Sequence, residues 1–204
     1  MIGIVDYGMG NLRSVANAFL KMDIKAEITD KPGDIDSYDR LVLPGVGAFG
    51  KCLENLKGNG LYEVTVDFIK SGKPFLGICV GMQLLFEKSY EYGEYNGMGI
   101  FPGAVKKFEI KKEGEYKIPH MGWNSLILKK RHPLIEGIRD GEYMYFVHSY
   151  YAPVCDFSVA TAEYAGVEFS ALVVRENVAA TQFHPEKSQQ AGLKILKNFG
   201  GWKC

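Results

Sequence analysis

Short apolar runs alternate with stretches of helical periodicity in the first hundred residues. Residues 2–5 are apolar and stop at Asp6-Tyr7-Gly8, as a buried strand does at a turn. Asn11 stands where an N-cap belongs, and its side chain is expected to cap a helix running to about Met22. Residues 25–29 and 41–43 read as the next strands, the second ended by Pro44-Gly45. A helical stretch spans 48–71 with a break near Gly58 and Gly60, residues 75–78 form another buried strand, and a helix begins over 82–86. Strands alternating with helices predict βαβ units and a parallel sheet. After Gly99 the pattern changes. Segments 105–110, 123–128, 143–147, 159–163, 169–174 and 178–182 read as strands, and only 189–199 as a helix. The expected fold is a single α/β domain over residues 1–204. It has a mostly parallel central sheet, helices on both faces, and an antiparallel extension of the same sheet.

Length and charge narrow the functional classes. A chain of 204 residues suffices for one sizeable core. Lys plus Arg equals Asp plus Glu at 24 each, which argues against a nucleic-acid or polybasic membrane surface. The longest apolar run, 75–86, contains Gln83 and is too short to span a bilayer. The N-terminus shows no signal-peptide pattern. Cys52, Cys79, Cys155 and Cys204 are far apart with no CxxC spacing. A reducing cytoplasm is therefore expected, with no metal and no organic cofactor. The basic turn Lys129-Lys130-Arg131, beside His132, reads as a solvated loop.

Gly77-Ile78-Cys79-Val80-Gly81 places a cysteine between a buried strand and a helix start. This is the cysteine form of the G-x-S-x-G nucleophile elbow, whose sharp turn requires small residues two positions to either side. The helix start favours a thiolate, and the N–H of Val80 can face an oxyanion. An arbitrary cysteine is more often a buried small hydrophobe; both glycines and the strand-to-helix context favour the nucleophile here. Such a thiolate needs a proton carrier. His184 closes the apolar 178–183 segment and precedes Pro185-Glu186. In extended backbone, residues i and i+2 project to one side, so Glu186 can orient the His184 ring. Alone, the pair would also suit a capping turn before the last helix.

Gly77 to Gln83, Phe183-His184-Pro185-Glu186 and Pro44-Gly45-Val46-Gly47 resemble the signature of the triad-type (class I) glutamine amidotransferases. More narrowly, the chain resembles the glutaminase subunits of imidazole glycerol phosphate synthases of histidine biosynthesis. Asp6 to Leu12, Pro44 to Gly50, Pro119 to Asn124 and Phe146 to Tyr150 carry that likeness, with Val80 where such subunits often have Leu. The resemblance implies the flavodoxin-like amidotransferase fold and hydrolysis of glutamine by Cys79, His184 and Glu186. It also implies an oxyanion site at Val80 and the Gly45-Val46-Gly47 loop, and glutamine contacts from Gln83, Ser149 and Tyr150. It further implies a heterodimer with a (β/α)8-barrel cyclase that takes the ammonia, docked through Asn11, Met121 and Trp123. Without the resemblance, Gln83 reads equally as a helix-surface residue, and Tyr150 and Trp123 as core aromatics.

Four rivals stand beside this reading, one of them a cysteine hydrolase of another class using the same elbow, against which the His184-Pro185-Glu186 and Pro44-Gly45-Val46-Gly47 segments count. Gly8-Met9-Gly10, with Arg13 and Asp30 further on, imitates a dinucleotide fingerprint but lacks the third glycine. A paralogous amidotransferase supplying ammonia for amino-sugar synthesis would carry nearly the same motifs. A non-catalytic regulatory subunit would not need Cys79, His184 and Glu186 intact.

Overall fold

Strand β1 (Ile2–Val5) is buried at every position, as a strand covered on both faces must be. The computed structural model describes residues 1–109 and 116–204. From β1 the chain runs through α1 (Leu12–Leu20), β2 (Ala26–Thr29), β3 (Arg40–Gly45), α2 (Phe49–Gly58), α3 (Leu61–Lys70) and β4 (Phe75–Cys79) to the short α4 (Val80–Gln83). Three strands follow: β5 (Phe86–Ser89), β6 (Tyr95–Asn96) and β7 (Phe101–Lys107). Beyond the undescribed residues come β8 (His120–Ser125), β9 (Ile127–Leu128), β10 (Tyr143–His148), β11 (Tyr150–Tyr151), β12 (Ser158–Tyr164), β13 (Val167–Arg175), β14 (Val178–Thr181) and α5 (Gln189–Gly201).

The main sheet has the order β2-β1-β3-β4-β14-β13-β12-β9. Its first five strands are parallel, and the last three are added antiparallel. The β1-to-β2 crossover steps one way along the sheet and the β3-to-β4 crossover the other. With right-handed crossovers, α1 and the α2–α3 pair therefore cover opposite faces. The carboxyl ends of β3, β4 and β14 then lie side by side, where open α/β sheets build their sites. No helix among the described residues is long and apolar enough to cross a membrane.

The structure corrects several expectations. The antiparallel additions do not all join the main sheet. Strands β8 and β10 pair as a separate ribbon, and β11, β7, β5 and β6 form a third, four-stranded sheet. The 123–128 segment is accordingly shared between two sheets. The strand expected over 105–110 is β7 and ends at Lys107; residue 110 lies outside the described residues. The helix expected over 82–86 ends at Gln83, and Phe86 begins a strand. Leu84 and Leu85 are both buried, with no polar face for a longer helix to show water, and their carbonyls accept from Met98 and Ile100. Asn11 stands at the N-cap position but makes no side-chain capping bond. His132 is half-buried rather than solvated: its Nδ1 accepts from the Leu134 N–H at 3.2 Å and its ring meets Trp202 edge-on. The break between α2 and α3 is at Gly60, where φ is +67°.

Candidate active site

The turn from β4 into α4 forces Cys79 to φ 56°, ψ −111°, strained backbone for a residue with a Cβ. The glycines make that turn possible. A Cβ at Gly77 would lie 2.7 Å from the Gly81 carbonyl oxygen, and one at Gly81 only 1.9 Å from that of Leu43. Cys79 thus sits 3% exposed at the floor of a cleft of about 230 Å³, smaller than the roughly 300–1,000 Å³ of pockets for drug-sized ligands.

His184 faces the same cleft from the end of β14. Its backbone is held at both ends: its N–H donates to the Tyr145 carbonyl at 2.9 Å, and its carbonyl accepts from Ser188 Oγ at 2.7 Å. His184 Nδ1 lies 2.8 Å from Glu186 Oε1, with both side chains almost wholly buried (3% and 1% exposed). Among the described residues, Nε2 has no hydrogen-bond partner. Burial alone would disfavour the imidazolium. The Cys79 sulfur beside the ring and the Glu186 carboxylate outweigh it and raise the His184 pKa to about 10.

The strand opposite the elbow is fixed from below. Tyr7 Oη donates to the Pro44 carbonyl at 2.9 Å, and Cys52 Sγ to that of Val46 at 3.4 Å. With these carbonyls tied down, the Val46–Gly47 edge lines the cleft beside Val80, with Gly47 at φ +92°. Gly45 does not line the cleft but packs against the elbow, where a Cβ would lie 2.8 Å from Gly81 N.

Gln83, Ser149 and Tyr150 line the cleft. Gln83 Nε2 donates to the Tyr150 carbonyl and to Gln182 Oε1, both at 3.0 Å, so only its oxygen remains to receive a ligand. Asn11, Met121 and Trp123 lie outside the cleft. All three are exposed, Met121 at 62% and Trp123 at 46%. Trp123 is therefore no core residue. Its ring meets Tyr145 edge-on, and Lys187, which follows Glu186, lies over the same Tyr145.

Sequence reading missed four contributors. Gln182 extends Nε2 to within 3.9 Å of Cys79 Sγ; its spacing of two from His184 was the available signal. Glu91 also lines the cleft, accepts from the Phe49 N–H at 2.6 Å, and has its pKa raised by burial. Tyr7 and Cys52 act on the floor across long sequence separations, which leave no local pattern.

A cysteine on a strained strand-to-helix turn, with a histidine–carboxylate pair in the same small cleft, is the arrangement of triad-type acyl-transfer enzymes. The family described as "Glutamine amidotransferase class-I" matches residues 3–201. "Imidazole glycerol phosphate synthase subunit HisH" of Syntrophotalea carbinolica is 53% identical, covering 98% of this chain and 99% of that one. The protein of the same name from Wolinella succinogenes is 51% identical, covering 98% of each. The chain belongs to the class I glutamine amidotransferase family, in the branch of the HisH subunits. Among solved structures, "Structure of PurLQS from Thermotoga maritima" superposes with TM-score 0.73 at 19% identity, covering 97% of this chain and 96% of that one. "Crystal structure of glutamine amidotransferase" superposes with TM-score 0.72 at 18% identity, covering 98% of each. These two likenesses establish the fold.

Proposed function

We propose that this chain is the glutaminase subunit of an imidazole glycerol phosphate synthase and that Cys79, His184 and Glu186 hydrolyse glutamine. The observation that carries the proposal is the Cys79 elbow facing the Glu186-oriented His184 across one cleft. The Cys79 thiolate attacks the side-chain carbonyl carbon of glutamine. The tetrahedral oxyanion is received by the Val80 N–H and an N–H of the 45–47 strand. His184 gives its Nε2 proton to the departing nitrogen, the C–N bond breaks, and ammonia leaves a glutamyl thioester. Water then attacks the thioester, His184 takes its proton, and glutamate and the thiolate are restored. Gln83 Oε1 and Ser149 orient the substrate. Glu91 supplies an anion at the cleft wall for the α-ammonium group.

Ammonia is a nucleophile only when unprotonated, so a glutaminase serving a synthase gains by releasing it into a dry path. The HisH names of the relatives favour the histidine branch over an amino-sugar paralogue. The partner is then a (β/α)8-barrel cyclase, docked through Asn11, Met121 and Trp123. Large exposed Met and Trp side chains suit that role, and Trp123 joins the catalytic turn through Tyr145 and Lys187.

The test is covalent labelling of the full chain with a glutamine analogue carrying an electrophilic diazoketone, followed by peptide mass spectrometry. A single adduct on Cys79, blocked by excess glutamine, is expected. Labelling of Cys52 or Cys155 instead, or labelling that ignores glutamine, would refute the assignment.

A further inference from the structure

Two further histidines adjoin the cleft, His148 among its lining residues and His120 bonded to His148. His120 and His148 are 3% and 6% exposed and are register partners of the β8–β10 ribbon. Their rings are joined, His120 Nδ1 to His148 Nε2 at 3.0 Å. His148 Nδ1 lies 2.8 Å from the Tyr150 carbonyl. A carbonyl only accepts, so that nitrogen carries a hydrogen and Nε2 of the neutral ring is an acceptor. The His120 bond therefore comes from its Nδ1–H, which leaves His120 Nε2 as an acceptor. That atom faces Asn124 Nδ2 at 3.3 Å.

The Asn124 amide is oriented by other contacts. Its Nδ2 donates to the Glu163 carbonyl and its Oδ1 accepts from the Ser125 N–H, each at 2.8 Å. Every proton along the series is thus assigned, and an imidazolium at either position would set donor against donor. Burial acts in the same sense, holding His120 down to about 4 and His148 to about 3.

The series ends in the site. The Tyr150 carbonyl that accepts from His148 also accepts from Gln83, and Gln83 donates onward to Gln182, whose Nε2 faces Cys79 Sγ. We propose that His120 and His148 are positioning residues for glutamine hydrolysis, a neutral single-tautomer relay that fixes the Tyr150 carbonyl and the Gln83 amide where the glutamine side chain is received. The proposal rests on the glutaminase reading above. Packing alone does not call for histidine. His120 stacks on Tyr164 at 4.0 Å and Phe146 at 5.0 Å, contacts a phenylalanine would make without burying polar atoms.

The test compares His120→Phe with His120→Asn in the full chain, assayed for glutamate release in the presence of the cyclase subunit. Asparagine places its amide nitrogen where Nδ1 stands and keeps the bond to His148; phenylalanine keeps only the stacking. His120→Phe is expected to raise the KM for glutamine about tenfold, the effect of one lost buried hydrogen bond, with His120→Asn within about threefold of wild type. A merely structural role would lower the folded fraction, and so the apparent kcat, without moving KM. If His120→Phe fails to fold, Asn124→Leu removes the first donor while both rings remain, and the same rise in KM is expected. In 15N-histidine spectra of the wild-type chain, both rings should be neutral Nδ1–H tautomers unchanged from about pH 8 to about pH 5. A wild-type KM in the phenylalanine or leucine variant, equal KM values for the two His120 variants, or an Nε2–H or imidazolium signal from either ring would overturn the proposal. A wild-type chain that releases no glutamate would remove the glutaminase reading, and with it the positioning role; the tautomers are still decided by the nitrogen spectra.

Discussion

Gly81→Ala isolates what the elbow does. A Cβ at Gly81 would stand 1.9 Å from the Leu43 carbonyl oxygen, where ordinary contact begins near 3.4 Å, so α4 must retreat from β3 by about 3.4 − 1.9 = 1.5 Å. The other side of the turn cannot follow, because β3 and β4 are in register through Gly45 and Cys79. The retreat therefore falls on Val80 and on the Cys79 side chain. A misplacement of about 1 Å costs on the order of 100-fold in rate. We expect kcat/KM for glutamine to fall at least ~100-fold, about 2.7 kcal/mol of transition-state stabilisation. The cost in stability should be about 1–3 kcal/mol, as for other overpacked sites, leaving a folded protein. Gly58→Ala is the matched control. It closes α2, and no described residue lies within 4 Å of where its Cβ would stand, so stability should rise by up to about 1 kcal/mol with kinetics unchanged. The assay is steady-state glutamate release in the presence of the cyclase, with circular dichroism giving the folded fraction. A folded Gly81→Ala protein with wild-type kcat/KM would refute the claim that this turn holds the nucleophile.

Three further outcomes follow from the same geometry. Glu186→Gln keeps the shape of the His184 partner but loses its charge; kcat should fall about 10²–10⁴-fold, with KM little changed. His184 has a folded pKa raised to about 10, so its contribution to stability is complete below its unfolded value of about 6.5 and is lost as pH rises through about 10. Thermal melts of the wild type should therefore weaken across that alkaline window, and those of Cys79→Ala, which lacks the sulfur that raises the pKa, much less. Trp123→Ala should weaken cyclase binding by about 2 kcal/mol, roughly 30-fold in Kd by titration calorimetry, while leaving the glutaminase activity of the isolated chain unchanged.

The parallel half of the fold was legible because its strands are continuous apolar runs and its helices are punctuated by glycine, as at Gly60. The elbow was legible for a related reason: Gly77 and Gly81 are local requirements of one turn. The pairing of β8 with β10, away from the main sheet, was not. Strand periodicity records which side chains turn inward but not which strand is the neighbour, and His120 to Ser125 alternate in the same way in either sheet. The end of α4 was hidden because Leu84 and Leu85 are apolar in a helix or a buried bend alike; donation from the Met98 and Ile100 N–H groups to their carbonyls decides between them. The support beneath the site was least visible. Tyr7, Cys52, Gln182 and the His120–His148 pair act through single hydrogen bonds between distant segments. Asn11 shows the opposite failure, a sound local capping signal whose side chain makes no capping bond.

Glutamate release from glutamine, measured for the isolated chain and again with a (β/α)8-barrel cyclase and its phosphoribosyl nucleotide ligand, tests the central claim most directly. Weak activity alone, strong stimulation in the complex and none with Cys79→Ala is the predicted result. A folded chain that releases no glutamate in any of these mixtures, or one whose Cys79→Ala variant is as active as the wild type, would contradict it.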